Sequence, residues 1–208
     1  MPTLIAYGGP VIWLILIAAA TAAVVLVERA LFCHRAQINS AEFLNGVRTV
    51  MKRGNVVEAI AICDATAGPV ARLVKAAILH REQGRERVRE AVEEAGLTEV
   101  PRLEEKLNLL ATIAQVSPLL GLLGTLTGFY DVFKGLQESG LYAHIGPENP
   151  GSLSEGISKA IICAAAGIAV AIPAHAGYNY LVSRVNKIVL DMERAAAEIV
   201  NIVSENGK

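Results

Sequence analysis

Aromatic side chains are scarce in this chain, and no segment of it combines them with an unbalanced basic charge. Aromatic residues make up 5% of the 208 residues, and the formal net charge is −1. Residues 29–106 hold 13 of the 19 lysines and arginines, but acidic residues are interleaved with them. Nucleic-acid binding depends on a basic surface and gains from aromatic stacking platforms. We therefore expect no nucleic-acid partner.

Cysteine is also scarce, which argues against a disulfide-stabilised protein and against a small metal-binding protein. Cys33, Cys63 and Cys163 are odd in number, and their spacing fits neither a disulfide framework nor a metal knuckle. We expect three free thiols, no metal site and no cofactor.

Charged residues are absent from three long stretches, 1–27, 107–130 and 160–183. The chain as a whole is also rich in hydrophobic residues, at 53%. A helix needs about 20 mainly apolar residues to cross a bilayer core, so each stretch can form one span. The first stretch has no basic segment before its apolar core and no small-x-small cleavage site. It is therefore more typical of a retained anchor than of a signal peptide.

Lysine and arginine set the expected orientation. Only Lys134 and Lys159 lie around the loop between the second and third spans, whereas residues 29–106 and 184–208 are rich in basic side chains. The positive-inside rule then places the N-terminus and this loop outside and the large polar parts in the cytoplasm. We expect an all-α integral membrane protein with three transmembrane helices, the second and third extended into a cytoplasmic helical bundle. The predicted division is residues 1–32, 33–101, 102–183 with an outside loop at about 134–155, and 184–208.

The polar parts show helical periodicity interrupted by glycine. The pattern predicts helices over 40–51, 56–63, 70–81 and 85–95, followed by one that starts at Arg102 and continues without a break into the second span. Six apolar residues near the C-terminus are spaced as a short heptad seam that favours packing against a helix of the same bundle. They are Val185, Val189, Met192, Ala196, Ile199 and Val203.

Small residues form one thin face on each of the last two spans. On the second span the spacing of four, three and four selects Ser117, Gly121, Gly124 and Gly128. On the third span the same kind of spacing selects Ala160, Ala164, Gly167, Ala171 and Ala174. Such faces let two helices approach closely, and packing alone is one explanation for them. Thr125 lies beside the first face with a hydroxyl at mid-membrane depth, although a threonine there often bonds its own i−4 carbonyl.

Carboxylates are missing from the centre of all three spans, and no serine–histidine pair stands at a plausible depth. These absences argue against an intramembrane protease, and we expect no enzymatic activity. A secondary transporter normally has inverted repeats and many more helices. Three helices cannot enclose a pathway, so an ion-handling role would require oligomerisation and a carboxylate from a partner chain. His175 is more typical of a helix-end residue than of a relay.

Three segments carry a resemblance to a known family. Residues 8–30 read GGPVIWLILIAAATAAVVLVERA, residues 109–133 read LLATIAQVSPLLGLLGTLTGFYDVF, and residues 156–179 read GISKAIICAAAGIAVAIPAHAGYN. In these segments and in the order of its three spans, the chain resembles the MotA/TolQ/ExbB proton channel family, in particular the ExbB/TolQ branch. The resemblance covers nearly the whole chain.

The resemblance implies a homo-oligomeric ring, commonly a pentamer, around two copies of a single-span ExbD/TolR-like partner whose membrane aspartate carries the proton. It implies work delivered to a TonB-like or Tol-Pal system from the bacterial cytoplasmic membrane. Thr125 matches the family threonine that faces the partner aspartate. Its hydroxyl can donate and accept hydrogen bonds. Pro118 and Pro173 are expected to kink their helices or to free a carbonyl.

Two positions depart from the family pattern. Ala164 stands where the family usually has threonine, and Lys159 stands where many members have glutamate. The first change removes a hydroxyl, and the second places a lysine that either repels cations at the outer mouth or extends to the interface. Ser158 and water are the expected substitutes for the lost polar lining. A non-conducting membrane scaffold of the same architecture is the alternative function.

Overall fold

A computed structural model describes residues 9–36, 38–138 and 150–206. All regular structure in these ranges is helical, with seven α-helices and a 3₁₀ turn at Arg81–Gln83. The helices are α1 (Gly9–Ala36), α2 (Ser40–Lys52), α3 (Val56–Ala65), α4 (Pro69–Leu79), α5 (Arg85–Glu104), α6 (Leu107–Glu138) and α7 (Pro150–Asn206).

Three helical stretches are long and apolar enough to cross a membrane, and they contain α1, α6 and α7. This result confirms the predicted all-helical membrane class with three spans. Half of the predicted outside loop, 139–149, lies beyond the described residues, and the predicted loop residues on either side of it belong to α6 and α7.

The chain divides into two compact units. Residues 1–27 and 106–179 form the first, which we call the apolar unit because it holds the uncharged stretches. Residues 28–105 and 180–208 form the second, which we call the polar unit.

The first two helices of the polar unit begin at matching side-chain caps. The Asn39 side chain accepts a hydrogen bond from the Glu42 amide and donates to the Glu42 carboxylate at 3.1 Å. Asn55 and Glu58 repeat this arrangement at the start of α3, with the side-chain bond at 2.8 Å. Each pair satisfies backbone donors that a helix N-terminus leaves unpaired. Local sequence therefore determines where α2 and α3 start.

The predicted break at Gly96 and the predicted unbroken helix from Arg102 are both wrong. α5 runs through Gly96 and Pro101 to Glu104, and a new helix, α6, begins at Leu107. Between them Lys106 adopts a positive φ of 62°. Packing explains the difference, because α5 buries Val92 on one side of Gly96 and Leu103 beyond Pro101 and so offsets the weak helix propensity of both residues.

Two buried charged side chains hold the C-terminal half of α5. Glu99 is 5% exposed and accepts from Arg72 at 2.8 Å and from Arg102 at 3.2 Å. Arg29 is 4% exposed; its guanidinium donates to the Arg102 carbonyl at 3.1 Å and pairs with Glu105 at 3.2 Å. The Arg102 carbonyl belongs to the last turn of α5, where carbonyls lack helical partners. Arg29 therefore caps the helix just before the break.

The apolar seam of the C-terminal helix agrees with the prediction at Val185, Met192, Ile199 and Val203, which are buried, and differs by one residue at the other two positions. Val189 and Ala196 are only half-buried, whereas their neighbours Ile188 and Ala195 are buried. The buried residues keep alternating spacings of four and three: Leu181, Val185, Ile188, Met192, Ala195, Ile199 and Ile202. Both sets satisfy a heptad pattern, and only the packing of α7 within the polar unit distinguishes them.

All three cysteines are thiols rather than disulfides, as predicted, and all three are buried. In the polar unit, burial raises the pKa of the Cys63 thiol from 9.0 to about 11, and the adjacent Asp64 carboxylate adds to the rise. A thiol with this pKa stays protonated and unreactive near neutral pH.

Glu99→Ala should lower the free energy of unfolding by about 1–3 kcal/mol, because a packed helix loses two charge-assisted hydrogen bonds while the arginines can still reach water. Chemical denaturation in detergent micelles, followed by circular dichroism, measures the change. Glu93→Ala is the matched control, since it removes an exposed carboxylate paired with Arg89 on the same helix and should have no measurable effect. Equal losses in both variants would contradict the assignment of Glu99 as a structural anchor.

Candidate functional site

Helices α6 and α7 of the apolar unit approach each other through backbone atoms. A Cβ placed on Gly167 would lie 2.6 Å from the Ser117 carbonyl oxygen and 2.9 Å from the Gly121 Cα. A Cβ placed on Gly121 would lie 3.1 Å from the Cys163 carbonyl oxygen and 3.3 Å from that of Ala164. Real Cβ atoms essentially never approach backbone so closely as at Gly167. The two helices can take this distance only because glycine occupies both positions.

The same contact continues along both helices. A Cβ on Gly128 would lie 2.8 Å from the Gly156 carbonyl oxygen and 2.9 Å from the Ala160 Cβ, and one on Gly124 would run into the Cys163 side chain. Gly156 was not singled out from the sequence, although it stands four residues before Ala160 and extends the same stripe. We call these contacting small residues, from Ser117 to Gly128 and from Gly156 to Gly167, the glycine seam.

The predicted packing residues fall in two groups. Ser117 is fully buried, and its hydroxyl donates to the Ile113 carbonyl at 2.7 Å, so it needs no partner on another helix. Pro118 and Pro173 are exposed and lie inside helices that remain continuous past them. Pro173 also lines an apolar cleft of about 210 Å³ between α1 and α7, together with alanines such as Ala22 and Ala169.

Thr125 lies next to the glycine seam and is half-buried. Its hydroxyl donates to the Leu122 carbonyl at 2.6 Å, a bond to the i−3 rather than the i−4 carbonyl. Thr127 makes the equivalent bond to Gly124 at 2.9 Å. In both cases the oxygen keeps lone pairs that can accept from a further donor. The two threonines are thus chemically alike and differ in the direction that they face.

The other predicted pathway residues, Ser158, Lys159 and Ala164, all lie on α7. Ser158 is exposed, and Ala164 is half-buried with its carbonyl near Gly121. The Thr125 hydroxyl donates within its own helix. Among the described residues, no side-chain hydrogen bond joins it to Ser158. His175 is exposed and lies near Tyr178, with 6.4 Å between their ring centroids. A polar pathway is therefore not complete within the described part of one chain.

Lys159 forms an ion pair that was not predicted. Its ammonium donates to the Asp131 carboxylate of α6, and its side chain is 17% exposed whereas that of Asp131 is 48% exposed. The lysine also passes close to the start of α1, because a Cβ on Gly9 would lie 2.9 Å from its Cε. It is therefore paired and largely covered. The two residues are 28 positions apart, so sequence spacing offered no sign of the pair.

Three apolar helices, two of them joined by a seam of glycine and alanine, define a small multi-pass membrane protein. Residues 65–194 match the MotA/TolQ/ExbB proton channel family, and the chain belongs to that family. This finding confirms the resemblance to the ExbB/TolQ proteins.

Individual proteins similar to this chain carry ExbB or TolQ names. A biopolymer transport ExbB homologue of Methanothermobacter thermautotrophicus is 29% identical over 150 residues, covering 72% of this chain and 51% of that protein. An ExbB-like protein of Synechocystis sp. is 33% identical over 73% of this chain and 70% of its own length. The Tol-Pal system protein TolQ of Haemophilus influenzae is 36% identical over 50% of this chain and 43% of its own length. The matched regions thus span about half of the first and last of these relatives.

Gly167→Ala should destabilise the apolar unit by about 1–3 kcal/mol, because its methyl group meets backbone atoms that cannot rotate away. Thermal unfolding in detergent measures the loss. Gly46→Ala is the control: this glycine is exposed within α2, and an added Cβ meets nothing within 4 Å. Alanine is favoured over glycine in a helix by about 1 kcal/mol, so this variant should be unchanged or more stable. A neutral Gly167→Ala variant would contradict the close packing of the seam.

Proposed function

We propose that this chain is a ring-forming subunit of an energy transducer driven by the proton-motive force. In this proposal it lies in the bacterial cytoplasmic membrane, with the chain before α1 and the loop between α6 and α7 outside and the polar unit in the cytoplasm. The observation that carries the proposal is the composition of α6, in which the uncharged stretch 107–130 offers threonine hydroxyls beside a glycine seam but no carboxylate.

A proton pathway needs a titratable group, and α6 does not supply one at the depth of Thr125. A half-buried hydroxyl whose lone pairs remain available can orient water or accept from a carboxylic acid. A carboxylate in the bilayer core is costly unless such groups satisfy it. We therefore assign the titrating aspartate to a single-span ExbD/TolR-like partner, two copies of which would lie inside a ring of five copies of this chain. Family membership supports this arrangement.

The names of relatives indicate which systems such a subunit would serve. The Haemophilus relative is a Tol-Pal system protein, and others are biopolymer transport proteins. We propose a TonB-type or Tol-type system as the recipient of the work. The glycine seam supports a mechanical role, because backbone-to-backbone contact makes α6 and α7 a rigid pair that can move as one body against a partner.

A non-conducting scaffold is the second candidate, and two observations favour it. Ala164 contributes no hydroxyl to the glycine seam, and Lys159 pairs with Asp131 to join α6 to α7. A scaffold would need the same seam and the same oligomer but no relay at Thr125.

Thr125→Val should reduce proton flux by at least about tenfold, since one hydrogen bond to a charged group contributes about 1.5–3 kcal/mol. The chain is co-reconstituted in liposomes with the ExbD/TolR-like protein of the same genome, and a pH-sensitive dye reports proton uptake after a potassium–valinomycin potential is imposed. Valine preserves shape and removes only the hydroxyl.

Thr127→Val is the matched control, because Thr127 is half-buried like Thr125 and donates the same kind of i−3 hydrogen bond on the same helix. It should retain flux within about twofold of the unsubstituted protein, less than the cost of one ordinary hydrogen bond. Equal flux in all three proteins would overturn the role of Thr125. Absence of flux from a correctly assembled complex would support the scaffold instead.

A further inference from the structure

The Asp131–Lys159 pair stands between the glycine seam and the loop that joins α6 to α7. Asp131 is six residues beyond Thr125 on α6, which corresponds to about 9 Å along the helix axis. It lies seven positions before Glu138, where α6 ends. The carboxylate is the more exposed member of the pair, whereas the lysine is largely covered and lies against the start of α1. A cation arriving from the loop side therefore meets Asp131 before it reaches the depth of Thr125.

Three other charged residues lie on these helix ends. Lys134 lies one turn beyond Asp131 on α6, and Glu155 lies one turn before Lys159 on α7; both are exposed. Glu138, the last residue of α6, is a further anion. The Asp131–Lys159 pair itself adds no net charge to this region, because its two members have opposite charges.

We propose that Asp131 and Lys159 act as a compensated charge pair that sets the electrostatic potential at the outer mouth of the proton pathway, and thereby the rate at which protons reach Thr125. This inference rests on the proposed function for the position of the mouth and for the ion. Removing the carboxylate exposes the lysine charge, which repels cations, and removing the lysine leaves a carboxylate that attracts them. A unit charge about 8 Å from the path, at effective dielectric constants of 40 to 80, changes local cation concentration roughly two- to fivefold.

Proton flux through the reconstituted complex should respond with opposite signs to the two single substitutions. Asp131→Asn should lower flux roughly two- to fivefold, and Lys159→Met should raise it by a similar factor. The Asp131→Asn, Lys159→Met double variant should lie within about twofold of the unsubstituted protein, because no net charge is added or lost. Both single effects should shrink in 1 M salt, where the screening length falls to about 3 Å.

A structural clamp predicts a different pattern. If the pair only held α6 against α7, both single variants would lower flux in the same direction, and the double variant would remain impaired at every salt concentration. That outcome would overturn the electrostatic role. Size-exclusion chromatography of each variant confirms that an intact complex is compared.

A second measurement reports the potential without requiring conduction. Ser158 is exposed and adjacent to Lys159, whereas Cys33, Cys63 and Cys163 are buried. In a Ser158→Cys background, the rates of modification by a cationic and by an anionic methanethiosulfonate reagent are compared. Asp131→Asn should shift the ratio of cationic to anionic rates downward, Lys159→Met should shift it upward, and the double variant should restore it. Protein with Ser158 intact gives the background from the native cysteines.

The two measurements separate the inference from the proposed function. If the unsubstituted complex does not conduct, the proposed function fails, and an unchanged labelling ratio would in addition overturn the charge pair. If the complex conducts and Thr125→Val blocks it, but neither single variant at the pair changes flux, the inference alone is wrong. Opposite shifts in both flux and labelling ratio support it.

Discussion

Backbone contact between α6 and α7 is the constraint on which the apolar unit depends. Within a bilayer no hydrophobic driving force favours helix–helix contact over lipid contact, so association relies on close packing and on polar bonds. Gly121 and Gly167 permit an approach at which a single added methyl group would meet main-chain atoms. Ser117, Gly128 and Gly156 extend this contact along the helices. The glycine seam therefore restricts how α6 and α7 pack. This restriction also determines where the side chains beside the seam lie.

Several polar side chains of the apolar unit bond within a single helix or form a pair. Ser117, Thr125 and Thr127 all donate to carbonyls of their own helix, and the charges of Asp131 and Lys159 compensate each other. Such an arrangement lets polar atoms exist at membrane depth at low cost. It also agrees with our proposal that the titrating carboxylate of a proton pathway belongs to a second chain, since α6 presents hydroxyl acceptors around Thr125 but no carboxylate in the stretch 107–130.

The polar unit is held by a different kind of interaction. Glu99 and Arg29 are buried charged side chains with ion-pair partners on the surface, and both contact the last turn of α5. Buried ionic groups are costly unless paired, so they favour one specific arrangement. Here that arrangement carries α5 through Gly96 and Pro101 and ends it before Lys106. Neither effect follows from local helix propensity, and both predictions at these positions were wrong for that reason.

The sequence by itself determined the helical class, the three apolar spans and the small residues of the seam, because hydropathy, periodicity and residue size are local properties. Family membership likewise agreed with motifs read directly along the chain. Tertiary structure decided which register of the apolar seam in the C-terminal part of α7 is buried. It also decided the course of α5 and the pairing of Asp131 with Lys159. These features depend on which residues meet across distances of tens of positions. A heptad can bury either of two neighbouring registers, and a lysine 28 residues from an aspartate becomes its partner only when two helices are brought together by glycine.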